Sequence, residues 1–456
     1  SKITFFLPKY SMPSTIDYRT AKRPVFSRTQ AVSRGSDDED KHYCPVQHEI
    51  LNKRYRVLKI LGKGTFGRVL LCDDIQTQQQ VAIKVIRAID RYTEAGKIEN
   101  RILISILENC EPQDKDLLAQ RFQHFYHMNH LCIVFRRYGP SLLDLLKLNQ
   151  WRGFNPDWTR ELSRCVVRAV VAIHRQGLVH TDLKPENVLT LEQVQETQVR
   201  GRKFFHPPGA NCVLIDFGSA TYDKDRKARV ICTRQYRPPE VILECGWSFA
   251  ADIWSLGCII FELYTGQMLF RTHDSAQHIA MMEKILGPLP RRMTQNCGRN
   301  VVGKLLTTEG KVMFPIPSTT EAEKNRLRQC KILSDTRVGE CPALLDLLTK
   351  MLVLDPYKRI TAEQVLKHRF FNPVGEACVQ TEMDLSVIPK DSEFVVQKLK
   401  AEMEAERRRA EEAENALLIA WKTINDAAES LRRYGAPLHP SSYLRKVVEE
   451  VRIKKK

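Results

Sequence analysis

The 456-residue chain is 43% hydrophobic with a mean hydropathy of −0.34, which suits a soluble protein with a sizeable core; no apolar run approaches the ~18 residues of a membrane span. Its 13 cysteines are scattered without a Cys-x-x-Cys pair, which indicates neither a zinc site nor a disulfide framework and fits a reduced, intracellular protein. The formal charge is +17, yet residues 1–50 (8 basic, 6 acidic) and 391–456 (14 and 12) are near balance, so the excess lies in the middle; without a base-reading motif it suits a phosphate-attracting surface better than a nucleic-acid site.

Residues 1–50 mix Ser, Thr, Pro and charge around Asp37-Asp38-Glu39-Asp40 and are expected to form a flexible tail. Strand patterns follow at Tyr55-Arg56-Val57-Leu58-Lys59-Ile60-Leu61, at Arg68-Val69-Leu70-Leu71-Cys72 and at Val81-Ala82-Ile83-Lys84-Val85-Ile86. A helix is predicted at about 91–109, then strands ending at Ile133-Val134-Phe135. From Ser141 to Pro373 the periodicity is mainly helical, as at 159–176, 252–264 and 275–286. The polar stretch 191–211, ending in Pro207-Pro208-Gly209, reads as an inserted hairpin or loop. A small β-rich lobe (51–139, with a hinge) and a larger helical lobe (140–373) are therefore expected, an α+β architecture. After a linker at 374–392, residues 393–433 repeat Met403, Ala410, Ala413, Leu417, Ala420, Ile424, Ala427 and Leu431 in steps of about three and four, with Glu406 interrupting, until Gly435 and Pro437 intervene. This charged helix would either pack on its own domain or pair as a coiled coil, and 434–456 is a basic tail.

Four strings stand in a telling order: Leu61-Gly62-Lys63-Gly64-Thr65-Phe66-Gly67-Arg68-Val69, Val81-Ala82-Ile83-Lys84, His180-Thr181-Asp182-Leu183-Lys184-Pro185-Glu186-Asn187, and Asp216-Phe217-Gly218. Glycines in a hairpin let the backbone approach phosphates where a Cβ would intrude. A lone GxGxxG could equally open a dinucleotide site, but that needs a helix directly after it, and here a β-branched strand follows. Phosphoryl transfer asks a protein to position ATP, neutralise charge and orient the acceptor hydroxyl. Lys84, a point charge on a strand, suits the α- and β-phosphates and needs a helix-borne carboxylate; Glu99 is the choice and Glu94 the fallback. Asp216 and Asn187 offer oxygen to Mg2+, a hard cation. Asp182 would accept or orient the hydroxyl proton, with Lys184 near the transferring phosphate. Any single aspartate could be a solvated loop residue; these contexts make that the weaker reading. The expected ATP-contacting set is Leu61, Gly62, Lys63, Gly64, Thr65, Phe66, Gly67, Val69, Ala82, Lys84, Phe135, Arg136, Tyr138 and Leu189. Asp252, in Asp252-Ile253-Trp254-Ser255-Leu256-Gly257, would brace the catalytic-loop backbone, and Arg359 would pair with Glu240 of Pro238-Pro239-Glu240.

In these strings the chain resembles the two-lobed eukaryotic protein kinases, and in detail the CLK (LAMMER) kinases of the CMGC group. Gln277-His278-Ile279-Ala280-Met281-Met282-Glu283-Lys284 stands where that family carries Glu-His-Leu-Ala-Met-Met-Glu-Arg, and it runs on into Ile285-Leu286-Gly287-Pro288-Leu289-Pro290. His180-Thr181-Asp182, Asp216-Phe217-Gly218-Ser219-Ala220-Thr221-Tyr222, Thr233-Arg234-Gln235-Tyr236-Arg237 and Asp90-Arg91-Tyr92-Thr93-Glu94-Ala95 add to the likeness, which covers about residues 50–373. It implies a Ser/Thr kinase using ATP and Mg2+, with tyrosine autophosphorylation left open. It also implies protein substrates such as Arg/Ser-rich splicing factors, and nuclear residence. A chromosome-segregation role is the alternative; a pseudokinase scaffold has no support, since every catalytic position is filled. Thr181 stands where many kinases carry an arginine that meets an activation-loop phosphate, which predicts activity independent of that phosphate. Some departures from the family matter. The hinge reads Arg136-Arg137-Tyr138-Gly139, basic where the family is acidic. A basic core also fits an acidic or phosphorylated partner better than an arginine-rich one, although Glu186 could still select arginine.

Overall fold

The computed structural model describes residues 35–199, 202–225 and 228–372. The expected linker, charged helix and basic tail beyond 373 lie outside them, as do residues 1–34 of the expected N-terminal tail. Among the described residues no helix is long and apolar enough to cross a membrane.

The small lobe opens with a hairpin of β1 (Ser36–Asp37) and β2 (Tyr43–Cys44). An antiparallel sheet follows, built from β3 (Ile50–Leu51), β4 (Tyr55–Gly64), β5 (Gly67–Asp74), β6 (Gln80–Ile86), β7 (Arg121–His127) and β8 (His130–Arg136), in the order β3-β4-β5-β6-β8-β7. Alternation along β4 buries Tyr55 and Val57 on one face, where they join Leu70, Ile83 and Val134 in the lobe's core. Between β6 and β7 runs α1 (Asp90–Asn109), which buries Glu99, Ile102, Leu103 and Ile106.

The expected tail boundary at residue 50 moves to about 35. Tyr43 is 1% exposed, and its hydroxyl lies 3.1 Å from His127 Nε2. Asp37 meets the buried His130 at 2.7 Å, and Asp38 meets Arg68 at 2.9 Å. Burying one tyrosine side chain is worth roughly 2–3 kcal/mol, so this segment belongs to the lobe. A local pattern of Ser and Asp cannot show it, because all the partners lie far along the chain.

The large lobe holds α2 (Leu142–Leu148), α3 (Pro156–His174), the short strands β9 (Leu178–Val179), β10 (Val188–Thr190), β11 (Gln195–Val199), β12 (Arg202–His206), β13 (Cys212–Leu214) and β14 (Thr221–Tyr222), then α4 (Pro239–Ile242), α5 (Ala250–Thr265), α6 (Ser275–Leu286), α7 (Arg291–Gln295), α8 (Glu321–Gln329), α9 (Pro342–Met351) and α10 (Ala362–Leu366). Ser141 and Asp144 cap α2 reciprocally. Asn155 caps α3 and Pro156 sits in its first turn, which moves that helix slightly upstream of the expected 159–176. The α5 helix is buried all round, from Ala251 to Tyr264, as a helix through the middle of a core must be. The insert at 191–211 is the β11–β12 hairpin, fastened to α2 by Asn149, whose amide exchanges hydrogen bonds with the Phe205 backbone at 2.8 and 2.9 Å.

Candidate active site

The turn between β4 and β5 carries the three glycines, and they divide by role. A Cβ on Gly62 or Gly64 would meet nothing within 4 Å, so both face an open cleft. A Cβ on Gly67 would lie 2.1 Å from Val85 O of β6. Gly67, expected to serve phosphates, is thus required by strand pairing. Arg87 steadies the turn, with its amide donating to Phe66 O at 2.9 Å and its side chain reaching Thr65 O at 3.4 Å.

Beneath the turn, Lys84 Nζ donates to both Glu99 oxygens at 2.7 and 2.9 Å and to Asp216 Oδ1 at 3.0 Å. Lys84 pairs in register with Val69 and Ile133 in mid-sheet, while Glu99 sits on the buried face of α1. Burial disfavours the ammonium, but Asp216 and Glu99 outweigh it and raise its pKa. In return Lys84 brings the Asp216 pKa down to about 2, while burial pushes Glu99 up. Glu94, the fallback, pairs instead with Lys97 on the surface.

Asp216 has a left-handed backbone (φ 63), an uncommon state for a non-glycine residue, and Phe217 behind it is fully buried against the His180 ring at 5.2 Å. Asp182 Oδ1 accepts from the Thr233 amide at 3.0 Å and its hydroxyl at 2.7 Å; Oδ2 accepts from Lys184 Nζ at 2.6 Å. Asn187 Nδ2 donates to Asp182 O at 2.9 Å, which leaves its Oδ1 to accept a cation beside Asp216. Two protein oxygens suit Mg2+, which retains waters and takes further ligands from phosphates.

The bracing expected of Asp252 is present. It accepts from the His180 and Thr181 amides at 2.8 and 3.0 Å and from His174 Nε2 at 2.9 Å; burial alone would raise its pKa, and these bonds lower it. Glu240 and Arg359 form a bidentate pair at 2.7 and 3.0 Å with both side chains at 0% exposure.

Around the cleft, Ala82 pairs with Phe135 across β6 and β8, Leu189 bridges to Ser141, and Val69 pairs with Gly62. The Tyr138 hydroxyl accepts from the Gln120 amide at 2.8 Å, so this hinge residue offers the cleft its backbone and not its ring. Leu61, Lys63, Thr65 and Phe66 lie at the β4–β5 turn, and Arg136 ends β8.

Two residues gained roles that the sequence did not disclose. Thr233 ties the downstream activation segment to Asp182. Thr181, itself left-handed (φ 67), donates Oγ1 to Ser219 O at 2.7 Å and accepts from Cys232 N at 2.8 Å, so it holds both ends of that segment. The replaced arginine was the only signal for Thr181.

A family model described as protein kinase domain matches residues 55–371. The dual specificity protein kinase lkh1 of Schizosaccharomyces pombe is 41% identical over 355 residues, 76% of this chain, but the chain spans only 51% of that protein's length. The serine/threonine-protein kinase AFC3 of Arabidopsis thaliana is 39% identical over 349 residues, 74% of this chain and 86% of that one. The dual specificity protein kinase CLK1 of Homo sapiens is 37% identical over 355 residues, 76% and 71% of the two chains. A solved kinase domain superposes with a TM-score of 0.68 at 34% identity, covering 73% of this chain and 100% of that one.

Proposed function

Because the chain belongs to the protein kinases, in their CLK (LAMMER) branch, we propose that it transfers the terminal phosphoryl group of ATP to serine and threonine hydroxyls of proteins, with tyrosine a further acceptor in autophosphorylation. One observation carries this reading: Lys84 reaches Glu99 and Asp216 at once, at 2.7 and 3.0 Å, while Asp182 is already held by Thr233 and Lys184. Phosphate-holding and hydroxyl-orienting groups are thus assembled together.

Lys84 would hold the α- and β-phosphates, released to them by the two carboxylates that keep it charged and placed. Asp182 orients the acceptor hydroxyl and takes its proton as the oxygen attacks the γ-phosphorus and the bond from that phosphorus to the bridging oxygen breaks, releasing ADP. Lys184 offsets charge on the transferring group. Asp216 and Asn187 would hold magnesium, which when bound draws charge from the β- and γ-phosphate oxygens. The open space at Gly62 and Gly64 fits a phosphate cradle.

Arg/Ser-rich splicing proteins are candidate substrates, with the exposed Glu186 beside the catalytic loop as a local arginine selector. Nuclear residence goes with this reading, and imaging of the tagged full chain tests it. Residues 391–456 are the candidate partner-binding segment. A pulldown with and without them separates a splicing role from one in chromosome segregation. The activity itself is tested on arrayed Ser/Thr/Tyr peptides with Mg-ATP, using Asp182→Asn protein as the blank. Signal above the blank is expected; none would turn the reading towards a scaffold.

A further inference from the structure

Two arginines follow Thr233 on the strip of chain that passes Asp182. Arg234 donates to Ser275 Oγ at 3.0 Å. Arg237 folds back onto Ile231 O at 2.9 Å and Cys232 O at 2.8 Å. All these acceptors are neutral, and among the described residues neither arginine forms an ion pair. Both are partly open to solvent, and their charges act on each other and, for Arg237, on Asp182.

The neighbouring carboxylates are committed elsewhere. Glu240 is bound by Arg359, Glu262 accepts from the Tyr236 hydroxyl at 2.6 Å, and Asp274 caps α6 through Gln277 N at 2.8 Å. His278 on α6 lies within the field of both guanidinium groups. It is fully buried, packs on the Phe270 ring at 5.0 Å, and neither ring nitrogen has a hydrogen-bond partner. Burial and the two guanidinium groups push its pKa down to about 3. Two guanidinium groups that repel each other and have no ion-pair partner among the described residues can take one added anion.

The chain does not supply that anion itself. Val230-Ile231-Cys232 carries no hydroxyl, and the Thr233 hydroxyl is engaged by Asp182 and Lys184 at 2.7 and 3.2 Å. A substrate held at Asp182 must pass alongside, since Thr233 touches that aspartate and Arg234 is the next residue. We propose that Arg234 and Arg237 form a subsite for a phosphorylated side chain next to the acceptor residue, making the enzyme favour substrates that already carry a phosphate. This rests on the kinase reading and specifies its substrate class. It also gives the basic core a use.

The test compares kcat/KM on threonine-acceptor peptides whose neighbour, on either side, is serine or phosphoserine. The full chain is first treated with a phosphatase that is then removed. Wild type should favour one phosphopeptide by roughly tenfold or more, the size of one charge-assisted hydrogen bond. Arg234→Gln and Arg237→Gln should each bring that ratio towards one, with Arg234→Lys keeping part of it. A purely structural loss would lower both peptides alike and leave the ratio standing, which would overturn the proposal, as would a wild-type ratio near one. Fluorescence-polarisation binding of the same peptides to wild type and Arg234→Gln gives a readout independent of turnover: equal affinities also defeat the subsite. Absence of signal over the Asp182→Asn blank on every peptide, with phosphopeptide binding intact, would fault the kinase reading instead and leave a phosphopeptide site.

Discussion

Replacing Thr181 with valine keeps the β-branched shape at φ 67 and removes one hydroxyl, the donor to Ser219 O at 2.7 Å. A neutral hydrogen bond contributes about 0.5–1.5 kcal/mol net, a factor of roughly 2–13 in an equilibrium. Thr181 is 1% exposed, so water cannot readily replace the lost partner. The bonds from Thr181 N to Asp252 and from Cys232 N to Thr181 O are backbone and survive the change. The loss therefore falls on the upstream end of the activation segment, which keeps the short β9–β14 pairing and the bonds of Tyr222 to Ser105 and of Asp223 to Gly177 and Ser248. The Thr181→Val enzyme should lose about 3- to 10-fold in kcat/KM on a peptide substrate, and Thr181→Ser should recover most of it. Phosphatase treatment should leave the wild-type rate unchanged, because the tie needs no phosphate. A wild-type enzyme silenced by phosphatase, or valine and serine variants of equal rate, would refute this reasoning.

Gly62→Ala should fold normally and change mainly the KM for ATP, whereas Gly67→Ala, with a Cβ 2.1 Å from Val85 O, should lower the melting temperature; the reverse pattern would contradict the division of the glycines. Glu262 is pushed up to about 7 by burial, partly countered by Tyr236, from a usual 4.5. A carboxyl with a raised folded pKa contributes stability below pH 4.5 that is lost as pH rises through 7, up to about 3 kcal/mol; Glu262→Gln should flatten that part of the melting-temperature profile. Arg359→Met would leave Glu240 charged, buried and alone, at a cost of roughly 3–5 kcal/mol by urea denaturation, and a loss under 1 kcal/mol would show that the pair is dispensable. Asp38→Asn should loosen the hold on Arg68 (2.9 Å) and Lys63 (3.6 Å) beside the glycine turn and raise the KM for ATP, with kcat nearly constant.

The candidate catalytic groups were legible because each lies in a short string whose spacing is set by its chemistry. Lys84, Asp182, Asn187 and Asp216 meet where expected, and the choice of Glu99 over Glu94 follows from which face of α1 is buried. What escaped depends on contacts distant in sequence. Asp37 and His130 are 93 residues apart, so a run of acids that packs on a lobe looks the same as a solvated one. Gly67 shares its spacing with Gly62 and Gly64, and only the approach of β6 separates them. Thr233, Arg234 and Arg237 were legible as family markers, but their roles follow from how the segment lies against Asp182.

The strap at residues 35–51 separates two boundaries that are easily taken for one. The protein kinase domain model begins its match at Tyr55, while strands that belong to the small lobe are already present about twenty residues earlier. A fragment cut at the shared boundary would strip Tyr43 and Leu51 from the core they complete, uncover Tyr55 and Val57, and leave β4 as a bare sheet edge open to pairing with other chains.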